Sequence, residues 1–313
     1  MSERRYYLGV DGGGTKTEFV CIDEEGAIRA SHREPTTYHL QVGLDGAGKV
    51  IRRGIAAICE VLGIATGDLT YTFFGLPAFG EDGVIDPQLE QLCGEALGHE
   101  RYRCGNDMVC GWAGSLGCED GINLVAGTGS IGYGERRGRS ARVGGWGEVF
   151  SDEGSAYWIA IEGLRAFTRM SDGRTPRGPL YDAFREALSL QDDIEVCERV
   201  MGERGLTRDQ IAALAPVVAQ AAERGDEAAC AIHVRAAGEL AEMAQALRTA
   251  LGFGAGETVQ ISCSGGILTA VAPVRSAFKD ALTQAGGFAF VEPRYPPAHG
   301  AALYAKCLAQ SPG

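Results

Sequence analysis

A short apolar strand, a glycine turn bearing a hydroxyl residue, and a return strand occur twice in this chain, about 115 residues apart. The first copy is Tyr6–Val10, the turn Asp11-Gly12-Gly13-Gly14-Thr15, and Thr17–Ile22, with a second turn at Asp23–Gly26. The second copy is Ile122–Ala126, the turn Gly127-Thr128-Gly129-Ser130, and the start of a return strand at Ile131–Gly134. Apolar β-type runs bounded by glycine turns read as hairpins. The sequences between the two copies are unlike, so the device repeats while the sequence does not. This narrows the fold to two similar α/β halves, each offering a glycine turn to a shared ligand. A length of 313 residues suits two domains of ordinary size. No linker, low-complexity stretch or long charge run separates the halves, and the break is expected near residues 115–120.

The remaining chain reads around these turns. Val50, Ile51, Ile55, Ile58, Val61 and Leu62 follow helical spacing and predict an amphipathic helix over 47–62. Tyr71–Leu76 predicts a strand ending at Pro77, residues 87–97 a helix, and Arg101–Cys104 a short strand running into Gly105-Asn106-Asp107. From Glu153 to about Leu251 the pattern is mostly helical, with Asp226–Leu251 the longest candidate. Thr258–Cys263 predicts a buried strand leading to Gly265-Gly266, and Ala298–Leu308 a last helix.

Composition removes several function classes. Apolar residues make up 45% and charged residues 22%, which is globular. The 29 basic residues face 41 acidic ones, for a net charge of −12, a field that repels nucleic acid and anionic membrane. A nucleotide is still admissible, because backbone N–H groups and a metal ion hold phosphates locally. The ten cysteines include no Cys-x-x-Cys pair, and Cys230 with His233 lacks a second ligand pair. Buried, reduced thiols are therefore expected, not a zinc site. Met1–Arg5 runs directly into the first strand without an apolar leader, and no run of about 18 apolar residues occurs. A cytoplasmic protein is expected.

Each chemistry-bearing segment has a plain structural alternative. In Asp11 to Lys16, glycines without Cβ let backbone N–H groups approach a polyphosphate, Thr15 adds a hydroxyl, and Asp11 can hold a Mg²⁺-bound water. The alternative is a simple Asp-Gly hairpin turn. Gly127 to Ser130 could clamp the same phosphates from the other side, or be a turn and nothing more. Asp107, at a strand end between the two turns, is suited to act as general base for in-line attack on a γ-phosphate. Otherwise Asn106-Asp107 is an Asx-turn or helix cap. Trp146, among glycines in Gly144–Trp158, suits a pyranose whose apolar face stacks while its hydroxyls reach carboxylates. Alternatively, Ser151 and Asp152 cap the helix that starts near Ser155. Ser264-Gly265-Gly266 could lie against an adenine or ribose, or simply turn a strand into a helix. Gly43 to Lys49 nearly fits a Walker A loop, but Val50 replaces the hydroxyl residue that would ligate Mg²⁺, so a helix start is expected there.

Taken in order, these segments resemble the sugar kinases and ATPases of the actin/hexokinase superfamily. More narrowly, the chain resembles the BadF/BadG/BcrA/BcrD ATPase family, which includes N-acetylglucosamine kinases. The resemblance runs from Tyr6 to the final helix and is most specific over Val143–Ile159. It implies an α/β fold of two ribonuclease-H-like domains, residues 1–117 and 118–297, with a nucleotide and sugar cleft between them. The final helix, about 298–313, would pack back on the first domain. ATP and Mg²⁺ are the implied cofactors. Asp11, Gly12, Gly13, Gly14, Thr15 and Lys16 would form the first phosphate loop, with Asp11 holding the metal through water. Gly127, Thr128, Gly129 and Ser130 would form the second, and Ser264, Gly265 and Gly266 would border the adenosine. Asp107 would be the catalytic base, with Asn106, Gly145, Trp146, Gly147 and Asp152 also facing the sugar. The implied reaction is phosphorylation of a hexosamine by a homodimer, with N-acetylglucosamine at its 6-hydroxyl first and glucosamine or N-acetylmuramic acid as alternatives.

Two departures bear on the sugar. Tyr38 follows Thr36-Thr37, and Ile131 follows the second loop, where the family pattern has sugar-contacting Asn. Lost polar contacts change which sugar is preferred. Another branch of the family activates acyl-CoA dehydratases or reductases through an iron–sulfur cluster held by thiolates shared across a dimer. Cys104, Cys110 and Cys118 are the near group here, with no recognisable cluster spacing.

Overall fold

The computed structural model describes residues 5–310. The opening residues, read above as lacking a leader, and the positions beyond Gln310 assigned above to the final helix lie outside that range. The chain divides into two compact units. One holds the residues up to Gly121 together with those from Glu292 onward, and the other is Ile122–Val291.

In the first unit, β1 (Tyr6–Gly12), β2 (Lys16–Ile22) and β3 (Ile28–Pro35) form an antiparallel meander. Then come α1 (His39–Leu62), β4 (Leu69–Leu76), α2 (Asp86–Leu97), β5 (Tyr102–Asn106) and α3 (Met108–Leu116). The sheet order is β3-β2-β1-β4-β5, with β1, β4 and β5 mutually parallel. Its core joins Leu8, Val10, Phe19, Ile51, Ile55 and Phe74. The apolar stripe of α1 lies on β2 so closely that a Cβ on Gly54 would overlap the Phe19 ring. Helix α1 starts earlier than its periodicity suggests. Residues 39–46 are helical too, across a break at Gly43 (φ 69°). The near-Walker stretch is therefore helix, not loop.

The second unit repeats the topology. β6 (Gly121–Ala126), β7 (Ser130–Arg136) and β8 (Arg139–Gly144) come first. Helices α4 (Ala156–Ser171), α5 (Pro179–Ala187), α6 (Glu195–Met201), α7 (Arg208–Ala212), α8 (Ala215–Glu223) and α9 (Glu227–Ala250) follow. The unit closes with β9 (Val259–Ser264), α10 (Gly266–Ala270), α11 (Ala272–Ala285) and β10 (Phe288–Val291). The order β10-β9-β6-β7-β8 mirrors the first sheet, and β9 is parallel to both β6 and β10. At 24 residues α9 is no longer than α1, because the helical stretch before Ala47 lengthens the latter.

The last helix, α12 (Pro297–Gln310), belongs to the first unit. Tyr304 meets the rings of Phe73 and Trp112 edge-on at 4.9 and 5.8 Å. A Cβ on Gly9 would fall within 2.7 Å of three backbone atoms of Ala301 and Ala302. The chain crosses between units at Gly121/Ile122 and Val291/Glu292, not at 117/118 and 297/298. The second shift has a local cause: Arg294 and Tyr295 donate their N–H groups to Ser115 and Gly114, and Arg294 pairs with Glu119. Among the described residues no helix is long and apolar enough to cross a membrane.

Candidate active site

In the first unit the turn is tighter than the sequence suggests. Asp11 and Gly12 are still strand, paired with Glu18 and Thr17, and Gly13 N–H closes the turn on Lys16 O at 2.8 Å. Gly14, Thr15 and Lys16 stand exposed at the tip, with Lys16 2.7 Å from Glu18. Thr36 Oγ1 donates to Gly13 O at 2.7 Å and accepts Tyr38 N–H at 2.9 Å. Thr17 donates to Thr37 across 3.2 Å, and Thr37 Oγ1 lies where a Cβ of Gly12 would fall. The Thr36-Thr37 pair thus fixes the base of the hairpin.

Asp11 is half-buried at the carboxyl end of β1, and Asp107 is half-buried just beyond β5. Parallel strands with β4 between them bring these ends together: Asp11 faces Gly75, and Gly75 faces Gly105. Open α/β sheets bind ligands at this edge. The close approach needs Gly75, since a Cβ there would lie 3.2 Å from Asp107 Cα and overlap Cys110 Sγ. Burial pushes the Asp11 carboxyl up to about 7, and the like charges of Asp107 and Glu18 add to this. The Cys110 thiol, which hydrogen-bonds Asp11, and Lys16 act in the opposite direction. Asp107 stands at the cap position of α3 but makes no side-chain cap bond, so the capping alternative is not realised by its side chain. Asn106, expected to face the sugar, instead donates to Phe79 O at 3.1 Å and accepts Met108 N–H at 3.2 Å.

Among the described residues no group of three or more His, Cys, Asp or Glu is arranged to hold a metal ion. Mg²⁺ takes one or two carboxylates and completes its shell with water and phosphate oxygens. The mutual repulsion of Asp11 and Asp107 is what a divalent cation relieves, so the donor set fits. Without metal, Asp11 also sets a pH dependence. The folded state holds the Asp11 proton up to about pH 7, whereas an ordinary carboxyl releases it near 3.8. Stability therefore falls as pH rises through that window, and the cost is complete above it. In EDTA, Asp11→Asn is expected to be more stable than wild type at pH 8 by on the order of 3 kcal/mol, and equal to it below pH 4. Urea unfolding at both pH values checks this. A difference unchanged by pH would refute the assignment.

In the second unit the turn is held from beneath. Ala156 and Tyr157, which open α4, donate to Gly127 O at 2.8 Å and Thr128 O at 3.2 Å. Ser155 caps that helix by accepting Trp158 N–H at 3.1 Å, so the cap is Ser155 and neither Ser151 nor Asp152. Gly265, at φ 86°, lies against β6: its Cβ would overlap Ala126 O. Gly127, Thr128 and Gly266 line a cavity of about 620 Å³ with mostly apolar residues of α7, α8, α10 and α11, among which stand the carboxylates Asp209 and Glu223. Its size and apolar walls suit a nucleobase. Ser264 is half-buried at the end of β9 and does not line it.

Trp146 is 68% exposed, with Arg142 over its ring at 5.5 Å. Gly145 and Gly147 have φ of 70° and 98°, and Ile131 packs against Gly145 Cα. Asp152, expected to face the sugar, is held within the second unit. It is 2% exposed, at φ 62°, and both its oxygens are engaged. Oδ1 accepts Ser130 N–H at 3.2 Å, and Oδ2 pairs with Arg208 Nη2 at 2.6 Å. The sequence analysis missed Arg208. Thr207 and Gln210 reveal a helix start, but nothing local shows that the side chain reaches a residue 56 positions away. Cys110 Sγ donates to Val10 O at 3.7 Å, and Cys93 and Cys104 are buried free thiols.

Two five-stranded units of one topology, each with a glycine hairpin and one with a carboxylate pair at its strand ends, define an ATPase of the actin/hexokinase class. The BadF/BadG/BcrA/BcrD ATPase family model matches residues 8–305, and the chain belongs to that family. It is 29% identical over 275 residues to an N-acetyl-D-glucosamine kinase of Dictyostelium discoideum, covering 84% of this chain and 85% of that protein. It is 28% identical over 295 residues to an N-acetylmuramic acid/N-acetylglucosamine kinase of Clostridium acetobutylicum, covering 89% and 90%. A solved structure from Chromobacterium violaceum, described as a candidate N-acetylglucosamine kinase, matches with a TM-score of 0.68 and 26% identity, over 96% of this chain and 98% of that one.

Proposed function

We propose that this protein is an Mg-ATP-dependent hexosamine kinase with N-acetylglucosamine as first acceptor, acting in the cytoplasm as a homodimer. The observation that carries the reading is the Asp11/Asp107 pair at the ends of two parallel strands that flank β4, beside a glycine hairpin. The family and its sugar-kinase relatives support it. Asp107 takes the proton of the acceptor hydroxyl as that oxygen attacks the γ-phosphorus in line. The bond to the β-phosphate oxygen breaks, and ADP carries away the electron pair. Asp11 would hold Mg²⁺ through water, and the metal supplies charge neutralisation on the phosphates. The turns Gly12–Thr15 and Gly127–Ser130 present backbone N–H groups to phosphate oxygens. Trp146 offers a stacking face to the sugar, with Gly145 and Gly147 leaving room beside it.

Ile131, packed on Gly145, and Tyr38, at the start of α1, stand where the family resemblance implies a sugar-contacting Asn. N-acetylmuramic acid and glucosamine are therefore tested beside the lead sugar. The experiment is ADP release from Mg-ATP with N-acetylglucosamine, glucosamine, N-acetylmuramic acid, N-acetylmannosamine, glucose or no sugar. Stimulation by a hexosamine is expected, and an equal slow rate in every tube would refute the reading.

A further inference from the structure

Arg208 joins three pieces of the second unit. Its Nη2 donates to Asp152 Oδ2 at 2.6 Å, and Asp152 Oδ1 accepts Ser130 N–H in the glycine turn. The fit leaves no slack, because a Cβ on Gly129 would lie 2.8 and 2.9 Å from the two Asp152 oxygens and closer still to Arg208 Nη2. Arg208 Nε reaches Glu148 Oε2 at 3.2 Å, next to Trp146 and Gly147. Arg208 is also the first residue of α7, whose start is locked by reciprocal caps. Thr207 Oγ1 accepts Gln210 N–H at 3.4 Å, and Gln210 Oε1 accepts Thr207 N–H at 2.8 Å. Asp209 and Ala212 of the same helix line the 620 Å³ cavity with Gly127 and Thr128. One planar guanidinium therefore ties the cavity wall to the turn on one side and to the Trp146 segment on the other.

A guanidinium suits this task, since its fork holds two carboxylates at fixed spacing as an ammonium cannot. Asp152 keeps its left-handed backbone only because its surroundings over-determine it. We propose that Arg208 is a positioning residue that couples nucleotide in the cavity to the Trp146–Glu148 segment. A nucleotide that shifts α7 moves Arg208, and Arg208 moves Asp152 and Glu148 together. The claim that this coupling reaches a sugar rests on the proposed function; the mechanical link does not.

The test adds the β,γ-imido analogue of ATP with Mg²⁺ and follows tryptophan emission. Trp146→Phe identifies the part of the signal due to Trp146. A Trp146-dependent change is expected in wild type. Glu148→Gln cuts only the outer link, so it should lose the change while binding the analogue within about twofold of wild type. Arg208→Gln should lose the change and bind about tenfold more weakly, and Arg208→Lys should not restore it. For N-acetylglucosamine, the analogue should tighten binding by about fivefold or more in wild type and by close to nothing in Glu148→Gln. Wild-type amplitude in Glu148→Gln at saturating analogue, or no Trp146 signal in wild type, would overturn the coupling. If Arg208→Gln does not fold, Glu148→Gln, at a partly exposed position, decides alone. A flat sugar panel with the Trp146 response intact would remove the kinase reading and leave the coupling.

Discussion

Asp107→Asn lowers kcat by about 10²- to 10⁴-fold, with a far smaller change in KM for ATP. The variant keeps the shape of the side chain and removes its negative charge and its ability to take a proton. The fold should tolerate it for two reasons. The Asp107 side chain makes no cap bond to α3, so that helix does not depend on the charge. The substitution also removes a like charge that pushes the Asp11 carboxyl upward, so burying Asp11 becomes less costly. A thermal midpoint at or above wild type, with turnover down by the stated factor, is the expected pair of results. Near wild-type turnover would remove Asp107 from the mechanism.

Gly300→Ala destabilises the first unit by about 3 kcal/mol or more, the upper end of overpacking costs. Alanine normally favours a helix over glycine, so the sign depends wholly on tertiary contact. Gly300 lies in α12, where an added Cβ would come within 2.6 Å of Gly114 N, Gly114 Cα and Cys110 O. Two helix backbones cannot shift as a flexible side chain can. Gly238, inside α9, is the internal comparison, since nothing lies within 4 Å of its added Cβ. Gly238→Ala should stabilise by about 0.5–1 kcal/mol. Urea unfolding of both variants gives the two signs, and a Gly300→Ala protein as stable as wild type would refute the packing argument.

Much of this arrangement is legible in the sequence, for physical reasons. Glycine turns flanked by β-branched runs leave strong local signals, and both hairpins lie within a residue or two of their predicted places. Asp107 is legible because it ends a strand between them. The missed strands are those with weak signals. β3 (Ile28–Pro35) is largely polar, with Arg29, Ser31, His32, Arg33 and Glu34, β8 (Arg139–Gly144) carries two arginines, and β10 has four residues. Asn106 and Asp152, sugar contacts by the family resemblance, also make hydrogen bonds within their own units. The bond from Met108 to Asn106 is the local Asx-type contact offered as the alternative, whereas the partners Phe79, Ser130 and Arg208 lie 22 to 56 positions away and no local pattern encodes them. The start of α1 was hidden because Gly43 interrupts the periodicity that betrays the rest of the helix.

The return of α12 to the first unit sets an order of assembly. The second unit is one continuous stretch, so it can complete its core while translation is still under way. The first unit cannot, although its sheet is made first. Gly9 and the edge-on ring contacts of Trp112 and Phe73 wait for residues made after the whole of the second unit. Until then the strand bearing Asp11 has one face uncovered, and the carboxylate pair is not held in place. The nascent chain should therefore gain a protease-resistant second unit before its first.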